Sequence, residues 1–267
     1  MTLSFGTDGV RGPTPEPLNK HFVACLATAA SEVLSTDHWI LGRDTRESGP
    51  ALSQAMSQAI AADGKIVIDA GVVPTPAIAY LSNSENCAGI VVSASHNPWS
   101  DNGVKIFAPG GRKLHDHEQA AIENRFAALI EEPATPIDEP RSVVTEHPDP
   151  TQPWVASIED AIEKRSLEGL HIVVDCANGA AYKVAPTVLQ ELGADVVPLG
   201  VTPDGININK GCGSTYTELM TDCVVASGAD VGIALDGDAD RLLIADENGE
   251  LVDGDLIIGV IAASWKK

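Results

Sequence analysis

The stretch WILGRDTRESGPALSQAMSQAIAADGKIVIDA, Trp39–Ala70, holds a complete strand–helix–strand unit. Trp39-Ile40-Leu41 is a short apolar run that ends in the polar turn Gly42-Arg43-Asp44-Thr45-Arg46. Ser48 then opens a helix with Pro50 in its first turn, and Leu52, Ala55, Met56, Ala59 and Ile60 recur on one face at helical spacing. Gly64 stops that helix, and Lys65–Ala70 begins the next strand. The alternation extends in both directions. Upstream, Asn19 is placed to cap a helix whose apolar face is Phe22, Leu26, Ala29, Ala30 and Val33. Downstream come a short helix (Pro76–Leu81), strands at Gly89–Ser93 and Val104–Ala108, and a long helix, His115–Ile130.

Between Pro133 and Pro153 lie 6 of the 17 prolines. Such a stretch holds neither a long helix nor a central strand, so it reads as a linker. A second unit follows: helix Trp154–Arg165, strand His171–Asp175, helix Tyr182–Leu192, strand Asp195–Leu199, helix Thr217–Ser227 and strand Asp230–Leu235. A hairpin from Leu242 turns at Glu247-Asn248-Gly249 and returns through Leu251-Val252. Strands alternating with helices mean α/β layers. The expected fold is therefore two successive three-layer α/β/α domains with mixed sheets, joined by a Pro-rich linker. The expected boundaries are 1–132, a linker at 133–153, and 154–254, with 255–267 opening a third domain that is cut short.

At 267 residues, 44% hydrophobic and 21% charged, the chain suits about two soluble domains. It has no apolar run long enough to span a membrane, and its start lacks the features of a signal peptide, so the cytoplasm is the expected compartment. The net charge of −21 is uneven: up to Lys113 there are 8 Lys/Arg against 10 Asp/Glu, and beyond it 9 against 28. That acidity argues against nucleic acid as a partner. Cys25, Cys87, Cys176, Cys212 and Cys223 are odd in number and form no C-x-x-C pair, so they read as buried free thiols.

Three motifs carry chemistry. Asp236-Gly237-Asp238-Ala239-Asp240-Arg241 follows the apolar run Val231–Leu235 and can fold three carboxylates around one hard divalent cation. Glu247 falls at the twelfth position from Asp236, as in an EF-hand, but the sixth is Arg241 where that loop needs glycine. Ser93-Ala94-Ser95-His96-Asn97-Pro98 lies past the carboxyl end of a buried strand, where α/β folds place ligands. In an extended stretch Ser95 and His96 would point to opposite sides, so His96 is badly placed as a base for Ser95. Phe5-Gly6-Thr7-Asp8-Gly9-Val10-Arg11-Gly12 offers glycines for close approach and an arginine that can grip phosphate. With Arg43, Arg46, Lys105, Arg112 and Lys113 added, the set suggests a site that handles phosphoryl groups. His115 and His117, two apart at a helix start, are not expected to share a face.

In order and spacing, FGTDGVRG, SASHNP with Asn102-Gly103-Val104-Lys105, and DGDADR resemble the α-D-phosphohexomutases. Val174–Ala180 and Asp204–Asn209 look most like the phosphoglucosamine mutases within that superfamily. The resemblance implies that Ser95 carries a phosphoryl group. It also implies that Asp236, Asp238 and Asp240, with a phosphoserine oxygen on Ser95, coordinate one Mg²⁺. Arg241 would contact the reacting phosphate as a substrate-binding residue. Lys105 and His96 would be acid/base helpers to the sugar hydroxyl, and Arg11 would contact the phosphoserine region. Lys105 could act as a base only if its pKa falls, and Arg11 is the cation expected to push it down. The implied reaction converts glucosamine 6-phosphate to glucosamine 1-phosphate through glucosamine 1,6-bisphosphate. The partner is a phosphorylated amino sugar, with neither nucleic acid nor membrane; the oligomeric state is open. Family members have four domains, and neither the sugar-recognising loop nor the C-terminal phosphate loop is found in this sequence. An incomplete chain, unable to complete turnover alone, is the resulting expectation. The competing readings are a mutase for mannose or glucose phosphate and a non-catalytic metal- or phosphate-binding relative.

Overall fold

The computed structural model describes residues 9–132, 144–163 and 165–264. Phe5–Asp8 of the opening motif, residues 133–143 of the expected linker and residues 265–267 lie outside the described residues.

The first unit runs β1 (Val10–Pro13), α1 (Lys20–Val33), β2 (His38–Arg43), α2 (Gly49–Ala62), β3 (Ile66–Val72), α3 (Thr75–Ser84), β4 (Ala88–Val92), β5 (Asp101–Ala108), β6 (Arg112–Lys113), α4 (Asp116–Ile130) and β7 (Val144–Glu146). Its sheet has the order β1-β5-β4-β2-β3-β7, with β6 paired to β5. The strands β4, β2, β3 and β7 run parallel, and β5 is antiparallel to β4 and β1. Asn19 caps α1 as its side chain suggests, its Oδ1 accepting the Phe22 N–H at 2.9 Å. Helices α1, α2 and α4 cover one face through Phe22, Leu26, Met56, Ile60, Ile122 and Phe126. Helix α3 covers the other with Ile78 and Leu81. Strand β4 is buried at every position, as expected of a strand between two helical layers.

The second unit comprises α5 (Gln152–Ala161), β8 (His171–Asp175), α6 (Val184–Glu191), β9 (Asp195–Leu199), α7 (Glu218–Ser227), β10 (Val231–Leu235), β11 (Leu242–Ala245), β12 (Leu251–Val252) and α8 (Gly254–Ser264). Its sheet order is β12-β11-β10-β8-β9, parallel across β10-β8-β9 and antiparallel where the hairpin adds β11 and β12. Met220 and Val224 of α7 close its core against Val173 and Ala234. Helix α8 buries none of its residues, and Leu256, Ile258, Val260 and Ile261 are exposed. Both sheets are mixed, as the alternation and the terminal hairpin lead one to expect.

Three local readings differ from the structure. Strand β5 starts at Asp101, three residues before the expected Val104, because Asp101-Asn102-Gly103 pairs with Pro13-Gly12-Arg11. Strand β7 sits inside the proline-rich stretch, between Pro140 and Pro148, and adds to β3 as an edge strand, the one sheet position that tolerates nearby prolines. The rings of His115 and His117 stack at 5.6 Å. His115 is the extended residue before α4, so helical spacing does not govern the pair.

All five cysteines are free, and four of them are buried. Burial pushes the thiols of Cys87 and Cys176 up to about 12 and that of Cys212 to about 11. An aromatic disulfide reagent at neutral pH should therefore modify the half-buried Cys223 first and the other four only on unfolding, as timed thiol counting would show. Gly103 yields a sharper test of packing. A Cβ there would lie 2.5 Å from the Ser93 carbonyl oxygen and 2.8 Å from that of Val10, and neither backbone can retreat without breaking a strand pair. Gly103→Ala should cost about 1–3 kcal/mol in urea unfolding, whereas an unchanged midpoint would contradict this packing.

Candidate active site

Ser95 lies on the loop that leaves β4, with a left-handed backbone at φ 54°. The loop is built on one buried cation. Arg46, 1% exposed, pairs through Nε with Asp44 at 2.8 Å. Its Nη2 donates to the carbonyls of Ser95 and Asn97, both at 2.9 Å. Its Nη1 donates to the carbonyl of Asp101 at 3.0 Å and to that of Pro98. Asp44 in turn accepts the Ser93 hydroxyl at 2.6 Å, and Ser93 Oγ accepts the Ser95 N–H at 2.9 Å. Burial pushes the Asp44 carboxyl up, against the pull of Arg46 and Ser93. Every side-chain donor of Arg46 ends on loop backbone or on Asp44, so Arg46 is neither a surface charge nor a phosphate grip. Arg43 and Arg112, also candidates for the site, are paired elsewhere, with Asp69 at 2.9 Å and Glu118 at 2.6 Å.

The second loop leaves β10 and brings Asp236, Asp238 and Asp240 together, one carboxylate oxygen from each lying within 4.8 Å of the others. Ala239 turns the loop at φ 55°. Ser95 Oγ donates to Asp236 Oδ2 at 2.5 Å, so the two motifs, 141 residues apart, form one site. Asp238 Oδ2 accepts from Thr75 Oγ1 at 2.5 Å and from Lys105 Nζ at 2.6 Å, while Asp240 Oδ2 accepts from the same ammonium at 2.6 Å. The close approach depends on Gly237, where a Cβ would lie 2.5 Å from the Ser95 carbonyl oxygen.

Electrostatics separate the three acids. Burial, reinforced by the neighbouring charge of Asp238, raises the Asp236 carboxyl to about 6. Burial also opposes ionisation of Asp238, but the charge and hydrogen bond of Lys105 outweigh it and hold that carboxyl below its ordinary value. Lys105 moves opposite to what a base role requires. Burial favours the neutral amine, yet Asp238 and Asp240 together raise its pKa. The expected depression by Arg11 is absent because two carboxylates, not a cation, face the ammonium. His96 is lowered by partial burial and by the charges of Arg241 and Arg11, which favours the neutral imidazole. Its Nδ1 lies 3.4 Å from Ser95 Oγ and 3.4 Å from Arg241 Nη1. Alternation along an extended strand would have kept Ser95 and His96 apart, but the left-handed turn at Ser95 brings them together.

Three carboxylates against the ammonium of Lys105 and, at 3.6 Å from Asp240, the guanidinium of Arg241 leave an excess of negative charge in a cluster buried at Asp236 and Asp238. Asp238 Oδ1 is buried without a hydrogen-bond partner, and Asp240 and Asp236 offer oxygens alongside. A hard divalent cation suits this all-oxygen donor set.

Residues 2–132 match the α/β/α domain I of the phosphoglucomutase/phosphomannomutase family, and residues 152–249 match its domain II. The chain belongs to this family. A phosphoglucosamine mutase of Sphingopyxis alaskensis is 47% identical, the match covering 100% of this chain and 61% of that protein. The chain spans less than two thirds of the length of the curated phosphoglucosamine mutases it matches. A phosphoglucomutase/phosphomannomutase family protein of Burkholderia thailandensis superposes with a TM-score of 0.83 at 25% identity, over 98% of this chain and 59% of that one. An N-acetylphosphoglucosamine mutase of Aspergillus fumigatus, solved in complex with GlcNAc-6P and magnesium, shares the fold at 18% identity and a TM-score of 0.55, over 96% of this chain and 53% of that one.

In this phosphohexomutase-family chain the motifs of the candidate site are visible in the sequence, but their supports are not. Thr75 and Asn209 pass unnoticed because neither is charged, and their partners lie 163 and 114 residues away. Arg46 was visible only as one cation among several. Its burial makes a firm expectation. Arg46→Met should leave Asp44 buried without its counter-charge and cost about 3–5 kcal/mol in urea unfolding, where a loss under roughly 1 kcal/mol would show the pair to be dispensable.

Proposed function

We propose that the chain forms the phosphoryl-carrying half of a phosphoglucosamine mutase, with Ser95 exchanging a phosphoryl group with a phosphorylated amino sugar. The observation that carries this reading is the 2.5 Å contact between the Ser95 hydroxyl and Asp236, at the meeting of the two family motifs. The names of the relatives at 47% and 48% identity support the choice of sugar. In the forward reaction the phosphoserine Oγ–P bond breaks as an oxygen of glucosamine 6-phosphate forms a new O–P bond, giving the 1,6-bisphosphate. After the sugar turns over, the 6-phosphoryl group returns to Ser95 and glucosamine 1-phosphate leaves.

Each residue then has a task. Asp236, Asp238 and Asp240, with an oxygen of phosphorylated Ser95, would hold one Mg²⁺. That ion, when bound, would neutralise charge on the phosphoryl group during transfer. Arg241 and Arg11 set positive charge near His96, beside the serine that would carry the phosphate. His96 borders the Ser95 hydroxyl and Lys105 the neighbouring Asp238 and Asp240, and the two would be the acid/base helpers to the sugar hydroxyl. Ser95 itself is 0% exposed, its hydroxyl buried against Asp236. The first 132 residues supply the nucleophile and 154–254 the cation ligands, with 255 onward opening a further domain. The cytoplasm is the natural compartment for five free thiols and a phosphosugar substrate.

Two measurements test this. Intact mass of purified chain treated with glucose 1,6-bisphosphate should show one added phosphoryl group, lost in Ser95→Ala; the same mass gain in Ser95→Ala would place the carrier elsewhere. Calorimetry should find Mg²⁺ bound more tightly, by on the order of tenfold, after Ser95 is phosphorylated, because the phosphate adds charged oxygen ligands. Asp238→Asn should weaken binding in both forms. Equal affinity with and without the phosphate would sink the shared-ligand arrangement.

A further inference from the structure

The carbonyl groups of Ser95 and Asn97 each accept two donors, one from each half of the molecule. Arg46 Nη2 supplies the first pair, from the loop after β2. The second pair comes from Asn209, whose Nδ2 donates to Ser95 O at 2.9 Å and to Asn97 O at 3.2 Å. Asn209 lies between β9 and α7, is 5% exposed and takes a left-handed backbone at φ 58°. Its own N–H donates to Ala177 O at 2.9 Å, and Ala177 N–H donates to the buried carboxylate of Asp175 at 2.9 Å. Asp175 Oδ2 also accepts the Gly213 N–H at 2.6 Å, which fixes the other end of the same loop. A continuous run of hydrogen bonds therefore leads from the end of β8, through Asn209, to the backbone on either side of His96.

We infer that Asn209 is a positioning residue for Ser95, an amide supplied by the second half that holds the serine loop in the register its hydroxyl needs to meet Asp236. This rests on the phosphoryl-carrying reading of Ser95 given above. Three features distinguish it from ordinary interface packing. First, both amide hydrogens are spent on one loop, on the carbonyl of Ser95 itself and that of the residue two beyond, which brackets the strained turn. Second, Asn209 Oδ1 is buried without a hydrogen-bond partner. A side chain kept only for stability would not leave that acceptor unmet, a cost of about 1–3 kcal/mol. Third, the carbonyls already have Arg46, so Asn209 is not needed to satisfy them. What it adds is direction: the Ser95 carbonyl is held from one side by the first half and from the other by the half that carries the Asp cluster. The nucleophile and its cation ligands are thereby locked to one another as well as each to its own sheet.

The test uses Asn209→Gly, since glycine accepts the left-handed backbone without penalty and removes only the amide. Asn209→Gln returns an amide on a longer arm. Hydrogen exchange read by mass spectrometry should show the 94–98 segment exchanging at least tenfold faster in Asn209→Gly, with β4 and β10 unchanged. The rate of Ser95 phosphorylation by glucose 1,6-bisphosphate with Mg²⁺, followed by intact mass, should fall on the order of 100-fold at saturating donor. The donor concentration for half-maximal rate should shift less than threefold, and Asn209→Gln should recover part of the rate. A loss of stability alone would move neither the rate at saturation nor the local exchange while the protein remains folded. Wild-type exchange at 94–98 in Asn209→Gly, or a rate within twofold of wild type, overturns the inference and leaves the role of Ser95 intact. If wild type takes up no phosphate, the phosphoryl-carrying reading fails, and the exchange measurement still decides whether Asn209 holds the loop.

Discussion

One buried guanidinium sets the geometry of the rest. Arg46 spends its donors on four backbone carbonyls of the 95–101 loop and on the carboxylate of Asp44. A loop of this kind, leaving a buried strand, has carbonyls that would otherwise need water, and water in this place would compete for the serine hydroxyl. Arginine solves this with a rigid planar fork, which a lysine ammonium could not span. The charge itself is met by Asp44, so the clamp adds no net field to the site it shapes. The left-handed turn at Ser95 and the resulting meeting of Ser95 with His96 both follow from where those carbonyls are held.

The second constraint is closeness. The two sheets present the carboxyl ends of their parallel strands to each other, and contacts across the seam are backbone to backbone as much as side chain to side chain. Thr75 N–H donates to Asp238 O at 2.9 Å, and Glu47 N–H donates to Gly205 O at 2.9 Å. Thr45 Oγ1 donates to Asn178 O at 2.5 Å. At Gly237 and Gly179 the space left for a side chain is nil, since a Cβ would come within 2.5 Å of Ser95 O and 2.4 Å of Gly237 O respectively. Glycine is thus required in the DGDADR loop by the neighbour it faces, not by its own backbone angles.

How much of this could be read from the sequence differs from residue to residue. The α/β layering was legible because Leu52, Met56 and Ile60 repeat at helical spacing between short apolar runs. Strand β7 was not, because three residues between prolines carry no periodicity and pair only through an edge the first unit leaves open. Asp236, Asp238 and Asp240 announced themselves, since strand propensity gives no reason for alternating aspartates. The pairing of Lys105 with two of them was hidden, because a lysine on a strand has the same sequence signature whether it faces solvent or an acid cluster. Asn209 and Thr75 were invisible for a related reason: a neutral polar residue in a loop is the commonest thing a sequence contains, and only the fold shows that its partner lies on another sheet.

The ammonium of Lys105 between Asp238 and Asp240 has a further consequence. An acidic cluster with no internal counter-charge is destabilised by its own repulsion until an ion or a proton relieves it. In this chain Asp238 and Asp240 already share a covalently tethered cation, and burial raises the carboxyl of Asp236. The polypeptide carries its own positive charge at the cluster where a divalent cation could sit. The mutual repulsion of the acids is thereby partly met within the chain itself.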